Sequence, residues 1–169
     1  MAENLKSLMS HFPKPGALEW IGLRTGKREP VTQLTAAELS TENGLTGDGL
    51  KDHYGGRSKK RQVTLIQAEH LAAMAGLLQI ERVDPSQMRR NLVVSGLNLL
   101  ALKNQQFQVG EAVLSFTGLC HPCSRMEEYF GPGGYNAVRG HGGINATVLK
   151  SGAINVGDSV TVLAEKDWL

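Results

Sequence analysis

Apolar residues along this chain fall into short runs, several of them alternating with polar residues and rich in β-branched side chains. The runs are ALEWIGL (17–23), PVTQL (30–34), RQVTLIQ (61–67), NLVVSG (91–96), AVLSFTG (112–118), INATVL (144–149) and DSVTVLA (158–164). Glycine and polar residues separate them, as in a many-stranded antiparallel sheet or barrel. Helical pattern is scarcer. QAEHLAAMAGLLQ (67–79) is rich in Ala and Leu and predicts a helix. DPSQMRR (84–90) predicts a short one, with Asp84 as N-cap and Pro85 in the first turn. A third short helix is expected after Cys123.

A local echo sharpens the architecture. LKNQQFQVGEAV starts at Leu102 and LKSGAINVGDSV at Leu149, with Leu-Lys, Val-Gly-acid and Val at the same offsets. The shared element is a tight Gly turn or bulge that feeds a core strand. Two such elements in a small β-rich chain favour a closed barrel over an open sheet. The expectation is a mainly β fold with a few helices, without a linker dividing residues 1–169.

At 169 residues the chain is long enough for a substantial core. A hydrophobic fraction of 41% and a charged fraction of 20% suit a soluble globular protein. A net charge of +2 argues against broad nucleic-acid binding. No run approaches the roughly 20 apolar residues of a membrane span, and MAENLKSLMSHFPKP lacks the apolar run of a signal peptide. The expected location is cytoplasmic, with no membrane or nucleic-acid partner. In that compartment a permanent disulfide is disfavoured.

TGLCHPCSR (117–125) therefore stands out, because it holds both cysteines, Cys120 and Cys123, at C-x-x-C spacing. The open readings are a disulfide, a redox pair, half a metal site, a single working thiolate, or two small buried hydrophobes. Pro122 stiffens the approach to Cys123. A helix beginning just after Cys123, with Arg125 and His121 nearby, favours the thiolate. A zinc site needs four ligands. Cys120, Cys123, His121 and either His53 or His141 could supply them, but there is no second C-x-x-C and no H-x-x-x-H.

GPGGYNAVRGHGG (131–143) carries six glycines in thirteen residues. By composition it reads as a flexible surface loop. Beside the cysteines it also suits backbone that passes close to a ligand. GLTGDGLKDHYGGRSKKRQ (44–62) is a second Gly-rich stretch and holds the basic cluster Arg57, Lys59, Lys60 and Arg61, which alone reads as a solvated loop. Arg89, Arg90 and Asn91 sit at a helix-to-strand junction. Arg offers a fork for phosphate or carboxylate, and Asn offers both donor and acceptor.

In order, GLTGD, the basic segment into RQVTLIQAE, RRNLVVSGLNL, VGEAVLSFTGLCHPC and RGHGGINATVLKSGAINVGD resemble the MOSC domain, named for the C-terminal part of molybdenum cofactor sulfurases. The match runs from about Gly44 to Val162 and looks like the small stand-alone bacterial form. The resemblance implies a closed β-barrel of the pyruvate-kinase type and a molybdopterin-type molybdenum cofactor. It implies that Cys123 is the molybdenum ligand and that Cys120 is auxiliary, tuning the site or accepting sulfur. Arg89 and Asn91 match the family's Arg-x-Asn group, which helps hold the cofactor. Arg139, Gly142 and Gly143 match its Gly-rich loop, and Arg61 lies where the family places anion-holding groups. A soft thiolate suits molybdenum, and a pterin phosphate suits Arg and backbone N–H groups.

The resemblance implies three functions. The chain reduces N-hydroxylated small molecules, such as hydroxylaminopurines or amidoximes, with electrons from a donor protein. Alternatively, it carries sulfur as a persulfide from a cysteine desulfurase. In the third it is a non-catalytic cofactor-binding module. The desulfurase domain of the sulfurases is missing here, so any pyridoxal phosphate is expected in a partner.

Overall fold

The computed structural model describes residues 4–49 and 59–169. Its strands are β1 (Gly16–Arg24), β2 (Val31–Leu34), β3 (Ala36–Ser40), β4 (Gly44–Leu45), β5 (Val63–Gln67), β6 (Leu92–Ser95), β7 (Gln106–Val109), β8 (Ala112–Leu119), β9 (Ile144–Lys150), β10 (Gly152–Asn155) and β11 (Ser159–Val162). The helices are α1 (Leu5–Met9), α2 (Ala68–Leu78), α3 (Pro85–Met88), α4 (Arg125–Phe130) and α5 (Gly134–Val138). Hydrogen bonding runs β11-β7-β8-β9-β5-β6-β1 and returns from β1 to β11, so seven strands close into a barrel. β2 extends β1 outside the ring, and β10-β3-β4 form a second small sheet.

Within the ring β5 and β6 pair in parallel, and the other neighbours pair antiparallel. A parallel pair needs a crossover, and α2 and α3 provide it. Side chains alternate across the barrel wall as a period of two requires. Val63, Leu65, Leu92 and Val94 point into the main core with Phe107, Leu114, Ile144 and Val160. Ile66 and Val93 point outward, beneath Met74, Met126 and Val138 of the helices. β1 breaks its alternation with a bulge between Leu18 and Trp20. The bulge keeps Leu18 and Ile21 in the barrel and sends Trp20 to the helical layer.

The two echoed segments form matching elements: β7 and β8 flank Gly110, and β10 and β11 flank Gly157. Both glycines have positive φ, 53° and 97°. The turns also pack together, with Glu111 N–H donating to the Ala153 carbonyl at 3.0 Å. A Cβ on Gly110 would lie 2.5 Å from the Asp158 carboxylate. The sequence pattern missed β3, β4, β7 and β10, which are short or partly exposed, and α5, which its glycines disguise. Among the described residues no helix is long and apolar enough to cross a membrane.

Candidate functional site

Three consecutive residues, Arg89, Arg90 and Asn91, fasten three different segments at the C-terminal end of β1. The local sequence sets this up. Asp84 caps α3 by accepting from Ser86 N–H at 2.9 Å, and Gln87 returns a bond to the Asp84 N–H at 3.0 Å. The bonds from Ser86 hold the Asp84 carboxyl below its ordinary range. The helix then stops because Arg89 adopts left-handed backbone, φ 53°. For a non-glycine residue that conformation costs roughly 1–2 kcal/mol and persists only where its surroundings fix it.

Here the surroundings do so. The buried Arg89 guanidinium donates to the carbonyls of Gly26, at 2.8 Å, and Glu29, in the β1–β2 loop. Arg90 donates to the Gly142 carbonyl at 2.7 Å and the Met88 carbonyl at 2.8 Å, and approaches the His121 carbonyl at 3.5 Å. It thereby ties the Gly-rich loop to the cysteine loop.

Asn91 is fully buried. Its Oδ1 accepts from Thr64 N–H at 3.0 Å and Arg24 Nη2 at 3.1 Å. Its Nδ2 donates to the Gly22 carbonyl and the Asp48 carboxylate, both at 3.2 Å. Arg24 and Asp48 form an ion pair at 2.7 Å with side chains only 7% and 0% exposed. Close approach of the chain at Gly49 makes the pairing possible, since a Cβ there would lie 2.4 Å from the Thr25 carbonyl. Asn91 thus bridges an ion pair and two strands, and its side-chain donor and acceptor are taken up by the protein.

The cysteine loop is seated on the same junction. Cys120 N–H donates to the Gly143 carbonyl at 2.8 Å, and Asn145 Nδ2 donates to the Leu119 carbonyl at 3.0 Å. Gly142 and Gly143 are glycines for a packing reason. A Cβ on Gly142 would fall 2.2 Å from the Cys120 carbonyl, and one on Gly143, at φ 92°, 2.0 Å from the Leu65 carbonyl. Cys120 is half-buried and Cys123 is exposed; both are free thiols. The chain then enters α4, whose Met126 is buried and whose N–H bonds the Cys123 carbonyl at 3.0 Å.

α4 also brings Arg125 and Tyr129 within electrostatic reach of Arg89. Burial first, and the Arg125 charge next, lower the Arg89 pKa from its ordinary value, while Tyr129 opposes the shift. Neither Arg89 nor Arg125 forms an ion pair with a carboxylate among the described residues. Two like charges within electrostatic reach of each other, without a carboxylate partner, make the region favourable to an anion.

The sequence-predicted residues therefore divide. Arg89, Asn91, Gly142, Gly143 and Cys120 are joined by one chain of contacts, with Cys123 in the same loop. Arg61 lies exposed in a 3₁₀ turn over 59–61, next to β8, where the Thr117 hydroxyl bonds the Lys60 carbonyl. Arg139 is exposed and, among the described residues, reaches only Asn136, at 3.4 Å. No described contact joins either to the junction. His53 and Arg57 lie outside the described residues. His141 packs edge-to-face on His70, ring centroids 4.8 Å apart. The sequence gives no sign of Arg24, Asp48 and Tyr129 here, and it marks Arg90 only as part of the Arg89–Asn91 junction.

With this geometry in place, comparison with known proteins is informative. The family model for the MOSC domain matches residues 50–161. The chain belongs to the MOSC domain family. No curated protein matches it by sequence. Among solved structures, this MOSC chain is similar to the YuaD protein of Bacillus subtilis, at TM-score 0.75 and 19% identity over 88% of this chain and 96% of that one. It is also similar to YiiM of Geobacillus stearothermophilus (TM-score 0.71, 15% identity, 89% and 76% covered). YiiM of Escherichia coli is a third (TM-score 0.67, 20% identity, 90% and 71% covered). At these identities the structural likeness speaks for the MOSC fold alone.

The described residues hold no group of three or more His, Cys, Asp or Glu that could cage a bare metal ion. A metal that arrives with its own organic chelator makes a smaller demand, one soft ligand and a cationic hold for the chelator's anionic part. The exposed Cys123 thiol and the charges of Arg89 and Arg125 fit that demand.

Proposed function

We propose that this MOSC domain binds a molybdopterin-type molybdenum cofactor with Cys123 as its protein ligand, and reduces N-hydroxylated compounds such as hydroxylaminopurines or amidoximes. One observation carries the reading. An exposed thiol stands in a loop fastened to the junction that carries Arg89, whose charge is felt by Arg125 of α4 and which is not ion-paired among the described residues. When bound, the cofactor supplies the oxygen-atom chemistry.

The residues of the chain do the rest. Cys123 offers a thiolate, and Arg89 and Arg125 attract and orient the anionic part of the ligand. Arg90 holds the cysteine loop and the Gly-rich loop in one position. Asn91 acts from behind, keeping Arg24 and the strand ends in place. Two cysteines are too few for an iron–sulfur cluster of four thiolates, so a donor protein is the source of electrons.

The test is turnover. Protein produced in a host that makes the cofactor, given a chemical electron donor and a hydroxylaminopurine, should form the amino product. Molybdenum-loaded protein inert toward both hydroxylaminopurines and amidoximes would overturn the reductase reading. A second reading, persulfide transfer from a cysteine desulfurase, draws on the second thiol in the loop. It predicts a persulfide on Cys123 or Cys120, detected by mass spectrometry after incubation with desulfurase and cysteine, in protein free of molybdenum.

A further inference from the structure

A cleft of about 1120 Å³ lies at the other end of β1, away from the cysteine loop. Leu5 and Met9 of α1, Phe12 and Val162 line it, together with Lys14 and Lys103. Its volume is slightly above the usual range for small-molecule sites, roughly 300–1,000 Å³. A smaller cavity of about 310 Å³ shares Met9 and Phe12 and adds Leu8 and Leu97.

The helix beside the cleft is unusual. Leu5, Leu8 and Met9 fall at i, i+3 and i+4, on one face of α1, and are 71%, 52% and 55% exposed. No residue of α1 is buried. A five-residue helix is marginal on its own. It is held by the Asn4 cap on Ser7 N–H at 2.9 Å and by an exposed ion pair from Lys6 to Glu165 at 3.4 Å. Phe12, just after it, packs on the barrel core. The apolar face is therefore kept over the barrel without being buried by it. The cations are placed in complement. Lys14 and Lys103 are exposed, and neither is paired with a carboxylate among the described residues. Glu165, the acid of the lining, is taken by Lys6.

We propose that this cleft binds an amphipathic organic anion, a flexible apolar chain ending in one carboxylate, with a free medium- or long-chain fatty acid as its simplest form. The chain lies between Phe12 and the Leu5–Met9 face of α1, and the carboxylate meets Lys14 and Lys103. Binding buries the face that α1 leaves in solvent and fixes the helix.

Calorimetry of the full chain with octanoate and decanoate, below their micelle-forming concentrations, tests this. Each added buried methylene tightens binding by about four-fold, so decanoate, with two more, should bind roughly fifteen-fold tighter than octanoate. Decyltrimethylammonium, the same length with the opposite charge, should bind at least ten-fold weaker than decanoate. Lys14→Glu combined with Lys103→Glu should weaken decanoate at least ten-fold with an unchanged circular dichroism spectrum. Met9→Glu, at an exposed position, gives an independent loss should the double variant not fold. Amide exchange at residues 8–10 should slow when decanoate is added. Absence of decanoate binding, equal affinity for the cation, or full affinity in the charge-reversed and Met9 variants would each overturn the proposal. So would flotation with phosphatidylglycerol vesicles without affinity for free decanoate, or cleft-dependent self-association, because the occupant would then be a membrane or a second copy.

Discussion

At the C-terminal end of β1, Arg24 and Asp48 pair in the interior, bridged by Asn91, and loops are fastened through buried polar groups. At the N-terminal end, Leu5, Leu8 and Met9 stand in solvent beside a cleft, held by contacts on the surface. The barrel between them is the same apolar core. The difference teaches where rigidity is placed. A buried polar network is expensive to break because every missing partner leaves a desolvated group behind. It therefore fixes the loops that present Cys123, Arg89 and Gly142. Exposed contacts are cheap to break, so the cleft end is adaptable.

Substitutions can break or sharpen this contrast. The largest effect is expected for Asp48→Ala, which strands the buried Arg24 charge and should cost about 3–5 kcal/mol in urea denaturation. A loss below about 1 kcal/mol would mean that water reaches the pair. Arg89→Ala should weaken pterin retention by about 2–5 kcal/mol while the barrel still folds. Equal pterin per chain in mutant and wild type would remove Arg89 from the site.

Gly142→Ala forces a Cβ against the Cys120 carbonyl, and overpacking of this kind costs about 1–3 kcal/mol. Its melting temperature should fall, and the exposed Cys123 should react with a thiol reagent at a changed rate as the loop shifts. Thermal stability unchanged from wild type would show that the loop gives way freely.

A smaller effect concerns His70, whose pKa is lowered by burial and then by His141. The unfolded chain binds a proton at His70 near pH 6.5, the folded chain only at lower pH. Its neutral form thus contributes stability that is present above about pH 6.5 and is lost as pH falls toward the folded value. His70→Gln should flatten the fall in melting temperature between pH 7 and pH 5. The same slope in both proteins would place the sensitivity elsewhere. The smallest effect is expected for Glu165→Gln, which removes an exposed pair and should change stability by less than about 1 kcal/mol.

Much of the barrel is legible in the sequence because a half-buried strand must alternate. The runs at 17–23, 61–67, 91–96, 112–118 and 144–149 all became strands of the ring, and the paired Val-Gly-acid segments became packed turns. Pattern is silent where geometry departs from period two. The bulge that turns Trp20 outward leaves no mark, and β3 and β4 are too short and mixed to stand out. Glycine was misleading in 131–143. Composition reads as a loop, yet Gly134 sits 2.3 Å by its absent Cβ from the Met126 carbonyl and opens a helix.

For the candidate site, ordered motifs pointed to Cys123, Arg89 and Asn91, which the fold places at one junction. They did not point to Arg24 and Asp48, because residues 24 positions apart announce no pairing. Tyr129 and Arg125 come within electrostatic reach of Arg89 only through the fold. The contact that ties Arg90 to Gly142 likewise has no signature in sequence.

The central claim is that the rigid end of the molecule presents one ligand thiol, Cys123. Molybdenum per chain, measured in wild type, Cys123→Ser and Cys120→Ser proteins made side by side in a cofactor-competent host, tests it most directly. The account predicts that Cys123→Ser loses nearly all metal, because a hydroxyl is a far poorer soft ligand, while Cys120→Ser keeps most of it. Full metal loading in Cys123→Ser, or equal loss in both mutants, would contradict it.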